Sequence, residues 1–242
     1  MTNATAMEPT PPGSDGWRTE LRATLRLSWP LAAANLLQML TYAIDVIFIA
    51  RLGEDQLAAS ALAIALFGLV LWALSGLTGA VAPVAAAELG ERAPALRPVR
   101  RTVRMALWLA LFSGVAGIGL CLLLGPLMQV TGQEPQIIAM AIEYNSLLVL
   151  SLVPMLFCNV LRSFVSTLDR PIFATAITAL GIGVNAAGNY AFIFGNWGAP
   201  ALGLPGAAVA TLFTSVFTML AYVVGVVHRN CVVGDGQAVA MG

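Results

Sequence analysis

Charged residues occupy only a few short stretches of this 242-residue chain, and long apolar runs lie between them. Residues 27–50 hold one charge, Asp45; residues 56–87 and 105–133 hold none; residues 135–161 hold only Glu143. Each run matches or exceeds the roughly 20 apolar residues that a helix needs to cross the hydrocarbon core. Residues 171–228 carry no Asp, Glu, Lys or Arg, and GNWGAPALGLPG at 195–206 divides them into two further crossings with turn residues. The pattern predicts an all-α fold, a polytopic membrane bundle of six transmembrane helices over residues 17–229. Ahead of the first span, Trp17, Leu21 and Leu25 recur at four-residue spacing beside Arg18, Arg22 and Arg26, with Ser14 or Asp15 to cap the start. That predicts a helix lying on the membrane surface over 17–26. Residues 1–16 are polar and Pro-rich, which predicts a disordered tail and not a secretory signal. Residues 230–242 read as a second tail, with truncation as one explanation of its brevity.

Composition agrees and narrows the class. The chain is 59% hydrophobic and 10% charged with a mean hydropathy of +0.85, which excludes a soluble domain. All twelve cations are Arg and the formal net charge is zero, so no basic tract invites nucleic acid. The missing Lys fits a GC-rich bacterial genome. Arginines also set an orientation, because short cytoplasmic loops are enriched in them. Arg18, Arg22 and Arg26, then Arg92, Arg97, Arg100, Arg101 and Arg104, then Arg162 and Arg170, then Arg229 all fall on one side of six spans. Both termini are expected in the cytoplasm of a bacterial inner membrane. Cys121, Cys158 and Cys231 have no metal or disulfide spacing. Membrane enzymes fail for want of apparatus: the one histidine, His228, ends the last span, there is no HExxH, and the GDG at 234–236 lies outside any span. No cofactor is expected.

Polar residues inside the spans carry what chemistry remains. Asp45 comes first, because an ionisable group within a span usually faces a cavity or a partner. The competing reading puts it at the outer interface or in a pair with Arg51. Gln38 lies two turns earlier on nearly the same face. Asn185 and Asn189 share a face of span five at i, i+4, either as ligands or as hydrogen-bonding glue between helices. At about 1.5 Å per residue, Asp45 and Asn189 lie roughly 8 Å below the outer ends of their helices, Asn185 roughly 14 Å and Gln38 roughly 18 Å. All four belong to the outer half of the membrane. Glu143 enters span four at similar depth, as a second carboxylate or an interfacial residue. Asn159 and Arg162 sit at the inner end of that span, where Arg162 can snorkel or meet Asp169. Pro30 falls in the first turn of span one, where its missing N–H costs little and a hinge is open to it.

Three blocks resemble one family. PLAAANLLQMLTYAIDVIFIARLGEDQLAASAL from Pro30 to Leu62 is similar to the first helix and loop of multidrug and toxic compound extrusion (MATE) transporters, with an early Pro, a Gln, an Asp seven residues on and a LGxxxLAA loop. NVLRSFVSTLDRPIFATAITALGIGVNAAGNYAFIFG from Asn159 to Gly195 resembles the fourth-to-fifth helix region, and LGLPGAAVATLFT from Leu202 to Thr214 the start of the sixth. The resemblance implies one lobe of an antiporter that exports cationic or amphipathic drugs against inward H⁺ or Na⁺. It assigns Asp45, Gln38, Asn185 and Asn189 to the coupling ion and Asn159, Thr211 and Glu143 to the substrate or lobe lining. Where many members have a second Asp in the fifth helix this chain has Asn189, which leaves Asp45 as the one matched carboxylate.

Members of that family have about twelve helices in two lobes, whereas six are expected here. A fragment lacking its C-terminal lobe is the leading reading. The alternative is a homodimer, since six spans return the chain to its starting side and two copies would share orientation. Two other classes stay open: a flippase-type lobe for a lipid-linked substrate, and a half-length membrane protein that transports nothing.

Overall fold

The computed structural model describes residues 16–79, 96–167 and 171–239, and among them the chain is helical with short connections. Seven α-helices follow in order: α1 (Gly16–Ala50), α2 (Glu54–Gly79), α3 (Leu96–Leu124), α4 (Pro135–Leu148), α5 (Leu152–Thr167), α6 (Pro171–Phe194) and α7 (Leu204–Val239). The expected all-α membrane bundle is therefore the fold. Five stretches are long and apolar enough to cross a membrane: Glu54–Gly79, Arg101–Val130, Pro135–Val165, Phe173–Phe194 and Leu204–Gly225. In α1 the apolar stretch is shorter, Asn35–Ala50, within a helix that runs unbroken from Gly16. The stretch expected as a surface helix and the first span are thus one continuous rod. The expected tail at 1–16 lies outside the described residues except for Gly16, and α7 continues through much of 230–242 to Val239.

Span four is built from two helices in line. Between α4 and α5 the backbone tightens into a 3₁₀ turn at Val149–Ser151. Pro154 explains it: with no N–H to return to the carbonyl four residues earlier, the regular ladder is interrupted. The Ser151 hydroxyl donates to the Leu148 carbonyl at 2.6 Å, which satisfies one of the carbonyls at the break.

Small residues set the helix spacing, as expected where lipid is as apolar as any side chain and packing must come from close approach. A Cβ on Gly114 of α3 would stand 2.9 Å from a Val153 methyl of α5, and one on Gly117 would stand 2.6 Å from Leu74 of α2. Gly188 of α6 lies similarly against Ala210 of α7, at 3.2 Å for a built Cβ. The α6–α7 corner is tighter still. Gly206 packs on the Phe192 backbone, while the Leu202 and Gly203 amides donate to the Phe192 and Ile193 carbonyls at 3.0 and 3.3 Å. Gly195 and Trp197 take left-handed backbone there, at φ 74° and 60°. The core joins α2, α4 and α5 through Ala63, Phe67, Leu148, Leu152 and Leu156. α1 packs chiefly on α6, with Ile49 fully buried and the Phe48 and Phe194 rings 6.1 Å apart.

Candidate functional site: a carboxylate held between two helices

α1 presents Asp45 to α6 one turn before the Phe48–Phe194 contact. The Asn189 side-chain amide donates to Asp45 Oδ1 at 2.6 Å and to Asn185 Oδ1 at 3.3 Å. Asn185 thus joins the carboxylate through Asn189. The i, i+4 spacing on α6 is what lets the two amides bond each other beside the acid. Both are fully enclosed, at 1% and 0% exposure, while Asp45 is half-buried and so retains an open side. The short bond is a charge-assisted type when the acid is ionised.

Two features make this more than interhelical glue. First, Asn189 Oδ1 is buried without a partner among the described residues, so a carbonyl oxygen with free lone pairs adjoins the carboxylate. Second, the cation nearest in sequence is engaged elsewhere. Arg51 is exposed and its guanidinium sits 6.0 Å from the Phe48 ring centroid, so the alternative Asp45–Arg51 pairing is not the arrangement found.

Tyr42 lies one turn before Asp45 on α1, and Tyr144 stands on α4. Tyr144 is 2% exposed. Sequence reasoning passed over Tyr42, although its three-residue spacing to Asp45 puts the two on one side of α1. The hydrogen-bonded site draws on two helices, α1 and α6.

The remaining candidates are dispersed. Gln38 is exposed on α1 and outside the hydrogen-bonded set. Glu143 is exposed, and its backbone carbonyl receives the Ser146 hydroxyl at 2.7 Å. The half-buried Thr211 donates to the Ala207 carbonyl of its own helix at 3.0 Å. Pro30 falls inside the unbroken α1, with its side-chain surroundings outside the described residues. Asn159 is a peg between helices: its amide donates to the Ser75 carbonyl at 3.3 Å and the Thr78 hydroxyl at 3.2 Å, both on α2. Its Oδ1 accepts from Arg162 at 3.3 Å. Asp169, the other partner considered for Arg162, lies outside the described residues.

A bundle of apolar helices long enough to cross a membrane, with a carboxylate and paired amides inside it, defines a multi-pass membrane protein. The chain belongs to the MatE family, whose model matches residues 30–191, and it corresponds to one lobe of a MATE transporter. It is 41% identical over 200 residues to the probable multidrug resistance protein NorM of Mesorhizobium japonicum, a match covering 82% of this chain and 43% of the relative. With the probable multidrug resistance protein NorM of Brucella suis it shares 38% over 216 residues, 88% of this chain and 45% of that one. A crystal structure of a MATE protein in the bent conformation superposes with a TM-score of 0.73 at 27% identity, covering 83% of this chain and 44% of the other. The chain thus spans less than half the length of the curated relatives it matches. Transporters of this family are not enzymes and need no cofactor.

Proposed function

We propose that this chain is half of an ion-coupled multidrug exporter in a bacterial inner membrane, with both termini cytoplasmic. Inward H⁺ or Na⁺ drives out a cationic or amphipathic drug, and the lobe works with a C-terminal lobe or with a second copy of itself. The carrying observation is the half-buried Asp45 carboxylate tied to α6 by Asn189 at 2.6 Å. The multidrug resistance names of relatives at 38–41% identity support drug export.

In this reading Asp45 receives the coupling ion from outside. A proton there turns an ionised acceptor into a neutral one and weakens the bond from Asn189. Na⁺ would instead find hard oxygen ligands in Asp45, Asn185 and the unpartnered Asn189 Oδ1. Either ion loosens or recasts the polar tie between α1 and α6, and α1 then moves about Pro30. Gln38, exposed two turns before Asp45, lines the path to the ion, and Asn159, Thr211 and Glu143 line the lobe. Coupling follows because ion and drug favour different facing states, and a ligand shifts an equilibrium only by its differential affinity for the states.

Everted vesicles from cells expressing the complete gene product provide the test. An imposed pH or Na⁺ gradient is expected to drive uptake of a fluorescent cationic drug. Indifference to both gradients would overturn the reading.

A further inference from the structure

Four arginines open α3, and no acidic residue follows before Glu134. At about 100° per residue, Arg97, Arg100, Arg101 and Arg104 fall within one arc of roughly 100°. Arg101 and Arg104 are exposed, and no ion pair occupies them among the described residues. The buried side of α3 is the opposite one: Val103, Ala106 and Ala110 are enclosed, and Gly114 and Gly117 touch α5 and α2. The arginine face therefore points away from the bundle.

That face does not end with the charges. Trp108 and Phe112 continue the same arc, 56% and 67% exposed, with their rings stacked 5.8 Å apart, and Val115 follows at 57%. At about 1.5 Å per residue, Trp108 stands roughly 6 Å deeper than Arg104, and Phe112 another 6 Å. This is the vertical order of a phospholipid: an anionic phosphate for guanidinium groups, an interfacial layer where Trp is favoured, then acyl chain.

We infer that this face of α3 is a binding surface for an anionic phospholipid, in the leaflet at the end of the lobe where α2 ends and α3 begins. Charge complementarity selects the headgroup, because α3 carries four Arg and no Asp or Glu. The unbroken run from arginine to exposed aromatic selects an amphiphile over a soluble anion. Guanidinium groups at an anionic leaflet act together and weaken with ionic strength.

The experiment uses the full chain purified in mixed micelles with equal phosphatidylglycerol and phosphatidylcholine, and counts retained lipids by native mass spectrometry. The wild type is expected to retain phosphatidylglycerol over phosphatidylcholine by about threefold or more, less so at high salt. The double variant Arg101→Gln/Arg104→Gln should lose that preference, and Arg101→Lys/Arg104→Lys should keep most of it, which separates charge from fold damage. Arg51→Gln, at the other end of the bundle, should behave as wild type. Equal retention of both lipids by the wild type, an undiminished preference in the Gln variant, or the same loss in Arg51→Gln would overturn the inference. So would displacement by inorganic phosphate beyond that by chloride at matched ionic strength, which would mark a free-anion site.

Discussion

Among the described residues, two polar networks inside this apolar bundle are built to opposite ends. Asn159 at one end of the lobe spends its amide on Ser75 and Thr78 and its oxygen on Arg162. Donors and acceptor are all used, and the group pins α5 to α2. At the Asp45 site the amides of Asn185 and Asn189 are more deeply enclosed than the half-buried Asn159, yet Asn189 Oδ1 has no partner and the carboxylate keeps an open side. A saturated network stabilises a bundle; an unsaturated one containing an acid has capacity left for a ligand. Polarity in a span is thus weak evidence of function until donors and acceptors are counted.

The largest expected effect separates the two networks outright. Asp45→Asn is isosteric and removes the ionisable group, so gradient-driven drug transport should fall to background while membrane insertion, followed by immunoblot of the membrane fraction, stays at the wild-type level. Asn189→Asp places a second carboxylate beside the first, where like charges alter each other's ion binding. The concentration of H⁺ or Na⁺ giving half-maximal transport is expected to shift by about tenfold or more, read from transport against pH and Na⁺; a superimposable profile would remove Asn189 from the ion site. Asn159→Ala should act on stability alone. It loses the tie between α2 and α5 and costs about 1 kcal/mol, the usual scale for polar contacts between membrane helices, visible as a lower midpoint in detergent denaturation with unchanged ion dependence. Thr211→Val is the smallest: its hydroxyl serves only its own helix, so stability should stay within about 0.5 kcal/mol. A changed drug profile in that variant would place Thr211 on the substrate path.

Much of the fold was legible because membrane spans announce themselves by what they exclude. The charge-free runs at 56–87, 105–133 and 171–228 overlap α2, α3 and the α6–α7 pair. Continuity was harder to read. The arginines at 18, 22 and 26 suggested a separate surface helix, whereas α1 runs through from Gly16 and past Pro30. Pro154 was visible as a residue that a bundle tolerates, and its 3₁₀ turn was not. Within the site, Asp45 stood out as a lone acid in a span, and the Asn185–Asn189 spacing put both on one face. Their union was not written locally, since 144 residues separate Asp45 from Asn189. Tyr42, one turn before Asp45 on the same helix, was within reach of a spacing argument. Gln38 shows the converse: periodicity aligned it with Asp45, and side-chain geometry leaves it outside the hydrogen-bonded set.

Direct ion binding tests the central claim without requiring transport. Purified protein is titrated with Na⁺ by calorimetry and with acid by proton uptake, comparing wild type, Asp45→Asn and Asn159→Ala. The account predicts one saturable ion per lobe in the wild type and in Asn159→Ala, and none in Asp45→Asn. Undiminished ion binding by Asp45→Asn would contradict it, and would make the Asp45–Asn189 contact a structural tie like its counterpart at Asn159.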